Sequence, residues 1–266
     1  MEILIIGYLS AIFVGLSLGL IGGGGSILTV PILVYFFGIE ASETAPAYSL
    51  FIVGIASLMG AIIKSRKGFV DLRTAIVFGL PSIVAVYATR RFLVPAIPDE
   101  LATIDDFIFT KRLFVMGLFA ILMVIASVSM IKGRKKIIQT EEQKFNYPLI
   151  LIEGVFIGVL TGLVGAGGGF IIIPALVVLS NLPMKKAIGT SLVIIAAKSL
   201  FGFLGDIAIM TIDWKLLLTF AALAVAGIFI GNQLSHKIEG VQLKKGFGWF
   251  VLIIGIIIIF KETLIN

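Results

Sequence analysis

Two clusters of glycine and one lysine are the residues whose types and placement could do chemistry here. The first cluster lies in GLSLGLIGGGGSILTVP, Gly15 to Pro31, and the second in GVLTGLVGAGGGFIIIP, Gly158 to Pro174. Both interrupt long apolar runs, where each glycine costs a continuous helix about 1 kcal/mol relative to alanine. Glycine becomes useful instead where the backbone breaks, takes a positive φ or lets a ligand approach closely. A helix that restarts after such a break presents unpaired N–H groups and a partial positive charge, which favour an anion. Lys198 lies near the middle of the apolar run Ala187 to Gly205. An ionisable side chain at that depth faces a bundle interior or a wet cavity and marks a functional site.

The candidate substrate-binding residues are therefore Gly22, Gly23, Gly24, Gly25 and Ser26 in the first cluster, Gly165, Gly167, Gly168 and Gly169 in the second, and Lys198. Ser49, Thr190 and Ser191 open the segments that follow the clusters and add hydroxyls able to hydrogen-bond oxyanion oxygens. Structural uses compete with these. Gly15 and Gly19, like Gly158 and Gly162, form G-x-x-x-G faces and are read as helix-packing positions. For Lys198 the rival is a structural pair with Glu153 or Asp206, or contact with free carbonyls. Asp71 and Asp213 are read as helix caps, and His236 as a solvated loop residue.

The elements that must hold these residues follow from composition. The chain has 266 residues, 59% hydrophobic and 14% charged, with a mean hydropathy of +1.15. Those values lie outside the range of soluble domains and fit a polytopic membrane protein. Strand-type alternation is absent, so the expected fold is all-α, a transmembrane helical bundle rather than a barrel. The first segment has no basic region ahead of it and is read as part of the mature fold. The chain has no cysteine, one histidine and no H-E-x-x-H, which argues against an enzyme and a metal site. There is no G-x-x-x-x-G-K-[ST] for direct ATP drive, and no cofactor or nucleic-acid partner is called for.

The chain is written twice. Gly15, Gly19, Gly22, Gly24, Gly25 and Pro31 fall without a gap on Gly158, Gly162, Gly165, Gly167, Gly168 and Pro174. One residue of slippage later, Ser49 meets Ser191, Ser57 meets Ser199, Gly60 meets Gly202 and Asp71 meets Asp213. The expected organisation is a first transmembrane repeat over 1–131, a cytoplasmic linker over 132–146 and a second repeat over 147–266. Each repeat holds a glycine-broken segment and three ordinary spans: 3–37, 45–63, 74–94 and 113–131, then 147–180, 187–205, 214–232 and 246–260. With the second repeat inverted, 14 Lys and Arg lie inside and 6 outside; with parallel repeats the tally is 11 to 9. Inversion fits the positive-inside rule better. It requires each broken segment to return to its starting side, as a re-entrant hairpin or as two short crossings. Equivalent breaks in two inverted repeats are the pattern of a transporter's binding site.

The doubled G-x-x-x-G-x-x-G-x-G-G…P blocks, each followed by A-x-x-x-S-L, the second reading AIGTSL, resemble the sulfite exporter TauE/SafE family of membrane permeases. The resemblance covers essentially the whole chain. It implies a multi-spanning permease of a cell membrane that moves a small sulfur-containing anion such as sulfite, thiosulfate, sulfoacetate or a sulfonate. On that implication the glycine breaks and Thr190-Ser191 line the site. The first repeat departs from the pattern with Tyr48 where the second has Thr190. The expected function is a secondary transporter working by alternating access, with a passive anion channel, or a permease for another small organic anion, as the alternative. The expected partners are the anion and the lipid bilayer; a coupling proton or sodium ion and a homo-oligomer stay open.

Overall fold

The computed structural model describes residues 2–23, 25–104, 107–132, 147–179, 182–235 and 240–264. Gly24, His236 and all of the linker after Lys132 lie outside the described residues. The chain runs α1 (Glu2–Ile21), α2 (Ser26–Phe37), α3 (Thr44–Arg66) and α4 (Leu72–Ala88). A π-helical turn, Thr89–Leu93, and the short α5 (Val94–Ala96) extend α4. An antiparallel hairpin follows, β1 (Glu100–Ile104) with β2 (Phe107–Thr110), and then α6 (Lys111–Lys132). The remainder is α7 (Tyr147–Val164), α8 (Gly169–Leu179), α9 (Met184–Ile207), α10 (Trp214–Leu234) and α11 (Gly240–Leu264).

This is an all-α polytopic bundle. Among the described residues, five spans are long and apolar enough to cross a membrane: Thr44–Arg66, Leu72–Ala96, Lys111–Lys132, Met184–Ile207 and Trp214–Leu234. With no water in hydrocarbon to serve the backbone, the helix is the element that satisfies its own N–H and C=O groups. The hairpin was not anticipated from the sequence; it is a small two-stranded excursion between α5 and α6.

Local chemistry sets the element ends. Asp71 caps α4 by accepting from Thr74 N–H at 2.8 Å, and Asp213 caps α10 by accepting from Leu216 N–H at 3.1 Å. Gly38, at φ +65°, ends α2 in the left-handed conformation and donates its N–H to the Leu33 carbonyl. Ahead of α3, the Glu40 carboxylate accepts from the N–H groups of Ser42, Glu43 and Thr44 and from the Ser42 hydroxyl. Burial opposes its charge, but those four donors outweigh it and hold the carboxyl below the usual glutamate range.

The packing places α3 and α9 at the centre as an antiparallel pair. Gly54 on α3 lies against Leu200, and Gly60, six residues further along, lies against Leu192. On one flank α1 runs parallel to α10, with Gly15 on the Ala224 carbonyl and Gly19 on Gly231 and Asn232. On the other flank α7 runs parallel to α4, with Gly158 on Ser82 and Ala85 and Gly162 on Val86 and Thr89. The predicted G-x-x-x-G faces are these two helix seams. The outer pair α6 and α11 is antiparallel, with Gly248 against Ser127, Met130 and Ile131 and Gly255 against Ala120, Met123 and Val124. The short α2 and α8 pack against α3 and α9 respectively and touch each other.

Candidate functional site

Both broken segments begin their turn in the same way. α1 ends as Gly22 N–H donates to Leu18 O at 2.8 Å, and α7 ends as Gly165 N–H donates to Thr161 O at 2.8 Å. Gly22 and Gly165 then take φ of +84° and +74°, conformations that a side chain would strain. The chain re-enters helix as Leu28 N–H bonds to Gly25 O at 3.2 Å and Ile171 N–H to Gly168 O at 3.0 Å. The first N–H groups of α2 and α8 have no partner within their own helices, so each break exposes donors.

The two breaks meet in the interior of the bundle. A Cβ on Gly23 would lie 2.6 Å from Gly169 Cα, and one on Gly167 would lie 3.2 Å from Ser26 Cβ and 2.6 Å from Val53 Cγ1. Ile195 of α9 stands against both Gly167 and Gly169. The backbones of Gly22, Gly23, Gly25, Gly165, Gly167, Gly168 and Gly169 are thus gathered with Ser26 between the central helices α3 and α9, and all eight residues are buried. Gly24 lies outside the described residues.

Lys198 belongs to the same place. It is wholly buried, its Nζ donates to the Thr161 hydroxyl at 2.8 Å, and that Nζ would lie 2.8 Å from a Cβ on Gly168. Neither proposed carboxylate partner is there: Asp206 pairs with Arg90, and the buried Oε2 of Glu153 has no hydrogen-bond partner. Thr161 passes its own proton to the Ile157 carbonyl at 2.7 Å, which fixes its oxygen as acceptor toward the ammonium. The lysine charge therefore sits at a helix break with a neutral partner, an arrangement suited to an anion arriving from outside the protein. Thr161 was missed in the sequence because it lies on the face of α7 one turn before the glycines and looked like any hydroxyl in an apolar run.

The predicted hydroxyls separate into two groups. Ser49 is wholly buried with no hydrogen-bond partner for its Oγ. Ser26 donates to Gly23 O at 2.8 Å, and Ser191 donates to Ile188 O at 2.9 Å. Thr190 accepts from the N–H of Asp71 at 2.9 Å and so ties α9 to the start of α4. Its repeat counterpart Tyr48 accepts from the N–H of Asp213 at 2.6 Å and ties α3 to the start of α10. Two unlike side chains perform one task at equivalent positions, which accounts for the departure seen in the sequence.

A second buried network lies beside the end of α7. Arg90, in the π-helical turn, donates through Nε to both Asp206 oxygens at 2.8 Å and brings Nη2 within 2.7 Å of Oδ1. It also donates to the Glu43 carbonyl at 2.9 Å and the Gly162 carbonyl at 3.5 Å. Glu43 in turn holds Lys111 through its carboxylate. Arg90 is one of the 6 basic residues that the positive-inside count places outside. It instead bolts α4, α7, α9 and the start of α3 together next to the second break.

Comparison with known proteins agrees with this architecture. Residues 8–258 match the profile of the sulfite exporter TauE/SafE family. A probable membrane transporter protein of Xylella fastidiosa (strain Temecula1) is 27% identical over 254 residues, covering 94% of this chain and 92% of that one. Others come from Bacillus subtilis, 26% identical with 92% and 96% covered, and from Methanocaldococcus jannaschii, 29% identical with 88% of each covered. No solved structure matches. With a family match from α1 through α11 laid over a multi-pass helical bundle, the chain belongs to the sulfite exporter TauE/SafE family and is a membrane transporter, not an enzyme.

Proposed function

We propose that this transporter is a secondary permease for a small sulfur-containing anion, such as sulfite, thiosulfate, sulfoacetate or a sulfonate. It works by alternating access between two inverted repeats, 1–131 and 147–266, in the cell membrane, with the 132–146 linker on the cytoplasmic side. The observation that carries this reading is the meeting of two helix breaks, Gly23 on Gly169 and Gly167 on Ser26, with the Lys198 ammonium beside Gly168. Backbone N–H groups, a positive charge without a carboxylate and close-approach glycines suit an anion and repel a cation. The antiparallel pairing of the repeat-equivalent helices α3 with α9, and α6 with α11, supports inversion. The family's printed name supports the sulfur anion.

The test is uptake of labelled sulfite and thiosulfate by vesicles holding the full chain. Saturable uptake that is accelerated by trapped unlabelled anion is expected, and single-channel currents would replace the carrier with a pore. Lys198→Met should cut uptake by more than about tenfold, the loss of a desolvated charge-assisted hydrogen bond. Wild-type protein that moves none of these anions would end the reading.

A further inference from the structure

Helical serines and threonines of this protein have a habit. Ser10, Ser17, Ser82, Ser127, Ser191, Ser235, Thr161 and Thr219 each donate to a carbonyl three or four residues back in their own helix. In an apolar surrounding this is the default partner for a hydroxyl. Five break the habit: Thr29 on α2, Thr74 on α4, and Ser49, Ser57 and Ser199 on the central helices are wholly buried, and none of their hydroxyl oxygens has a partner. A buried polar group left without a hydrogen bond is costly and calls for an explanation.

For the three serines, placement supplies one. On α3, Ser49 and Ser57 lie four residues before and after Val53, the residue packed on Gly167. On α9, Ser199 lies four residues after Ile195, which packs on Gly167 and Gly169. Residues four apart share a helix face, so the three hydroxyls flank the point where the breaks converge. Across the central seam, Gly54 opposes Leu200 and Gly60 opposes Leu192, which sets Ser57 and Ser199 within one helical turn of the same level. Ser57 and Ser199 are also repeat counterparts, so both sides of the seam supply the same group.

We propose that Ser57 and Ser199 are direct hydrogen-bond donors to the oxygens of the transported anion, and that they select a multi-oxygen anion over a monatomic one. This rests on the reading of the glycine-break site as the anion site. Lys198 supplies charge, which every anion feels alike; two hydroxyls at fixed positions on opposite sides of the seam reward an anion with several acceptor oxygens on one centre. Ser191 already donates to Ile188 O and Thr190 is held by accepting from Asp71 N–H, whereas Ser57 and Ser199 have no partner at all.

The experiment measures binding of sulfite, thiosulfate and chloride to the purified full chain in detergent, by calorimetry, for wild type, Ser57→Ala, Ser199→Ala and the double variant. Each single change should weaken oxyanion binding about tenfold, the ordinary worth of one hydrogen bond to a charged group. The double should weaken it further while any chloride binding stays unchanged, and Ser57→Thr should recover part of the loss. The ligand-free melting temperature should hold or rise, because alanine removes an unsatisfied buried group. Oxyanion binding within twofold of wild type in the double variant would overturn the proposal, as would a marked fall in its ligand-free melting temperature, which would make the hydroxyls structural. Wild-type protein that binds neither oxyanion would refute the parent reading instead, so the two failures are told apart.

Discussion

Arg90 and Lys198 are both wholly buried cations, and they differ in what compensates them. Arg90 has the Asp206 carboxylate and two backbone carbonyls; Lys198 has one hydroxyl. Removing one partner of a buried ion pair strands the other charge and costs about 3–5 kcal/mol, whereas replacing both with apolar groups is often neutral. Asp206→Ala should therefore destabilise the protein by about that amount in a denaturant titration in detergent, and Arg90→Leu with Asp206→Leu should recover most of the loss. Lys198→Met should do the reverse: stability unchanged or raised, because a poorly compensated charge is gone, and anion binding lost. A Lys198→Met protein as unstable as Asp206→Ala would make that lysine structural. The difference in role also explains what could be read from the sequence. Lys198 stood out because it interrupts an otherwise uncharged run at mid-span. Arg90 did not, because it lies beside Arg91 near the end of the 74–94 span and its partner lies 116 residues away.

Helix breaks and helix seams use the same residue for opposite ends, and the structure separates them by what surrounds each glycine. A Cβ on Gly15 would overlap the Ala224 carbonyl oxygen, a backbone atom that cannot swing aside, whereas Gly117 on α6 has nothing within 4 Å of the equivalent point. Gly15→Ala should thus force α1 from α10 and cost about 1–3 kcal/mol, the usual range for overpacking. Gly117→Ala should stabilise by about 0.5–1 kcal/mol, since glycine is the poorer helix former. Equal effects of the two, measured by the same titration, would show that the α1–α10 seam is not set by backbone contact. The seams were legible because G-x-x-x-G repeats at helical spacing, and the breaks because a run of glycines cannot be a good helix. The hairpin at 100–110 was not legible: its strands are five and four residues long, too short for a period-two pattern to stand out. The Tyr48 and Thr190 ties were hidden by their unlike side chains, although their targets, Asp213 and Asp71, were visible as equivalent caps.

At the scale of the whole molecule, the packing constrains which way the two repeats face through their neighbours. The start of α9 lies beside the end of α3: Gly189 abuts the Phe69 carbonyl and Lys64, and the Lys185 ammonium stands 6.0 Å from the centre of the Phe69 ring. One crossing away along α4, Asp99 must reach the opposite face, and one crossing along α9 carries Lys215 there as well. The basic residues near Lys64 and Lys185 then share a side, as the positive-inside count requires of inverted repeats. The absence of native cysteine makes this directly measurable, because every introduced thiol reports alone. In intact cells, single variants Ser65→Cys and Lys186→Cys should resist a membrane-impermeant maleimide and react only after permeabilisation. Asp99→Cys and Lys215→Cys should react from outside. Labelling of Lys186→Cys from outside, together with Asp99→Cys, would place equivalent ends of the repeats on one face, making the repeats parallel. The two glycine breaks would then enter from one leaflet, and a site alternately exposed by inverted halves would lose its geometric basis.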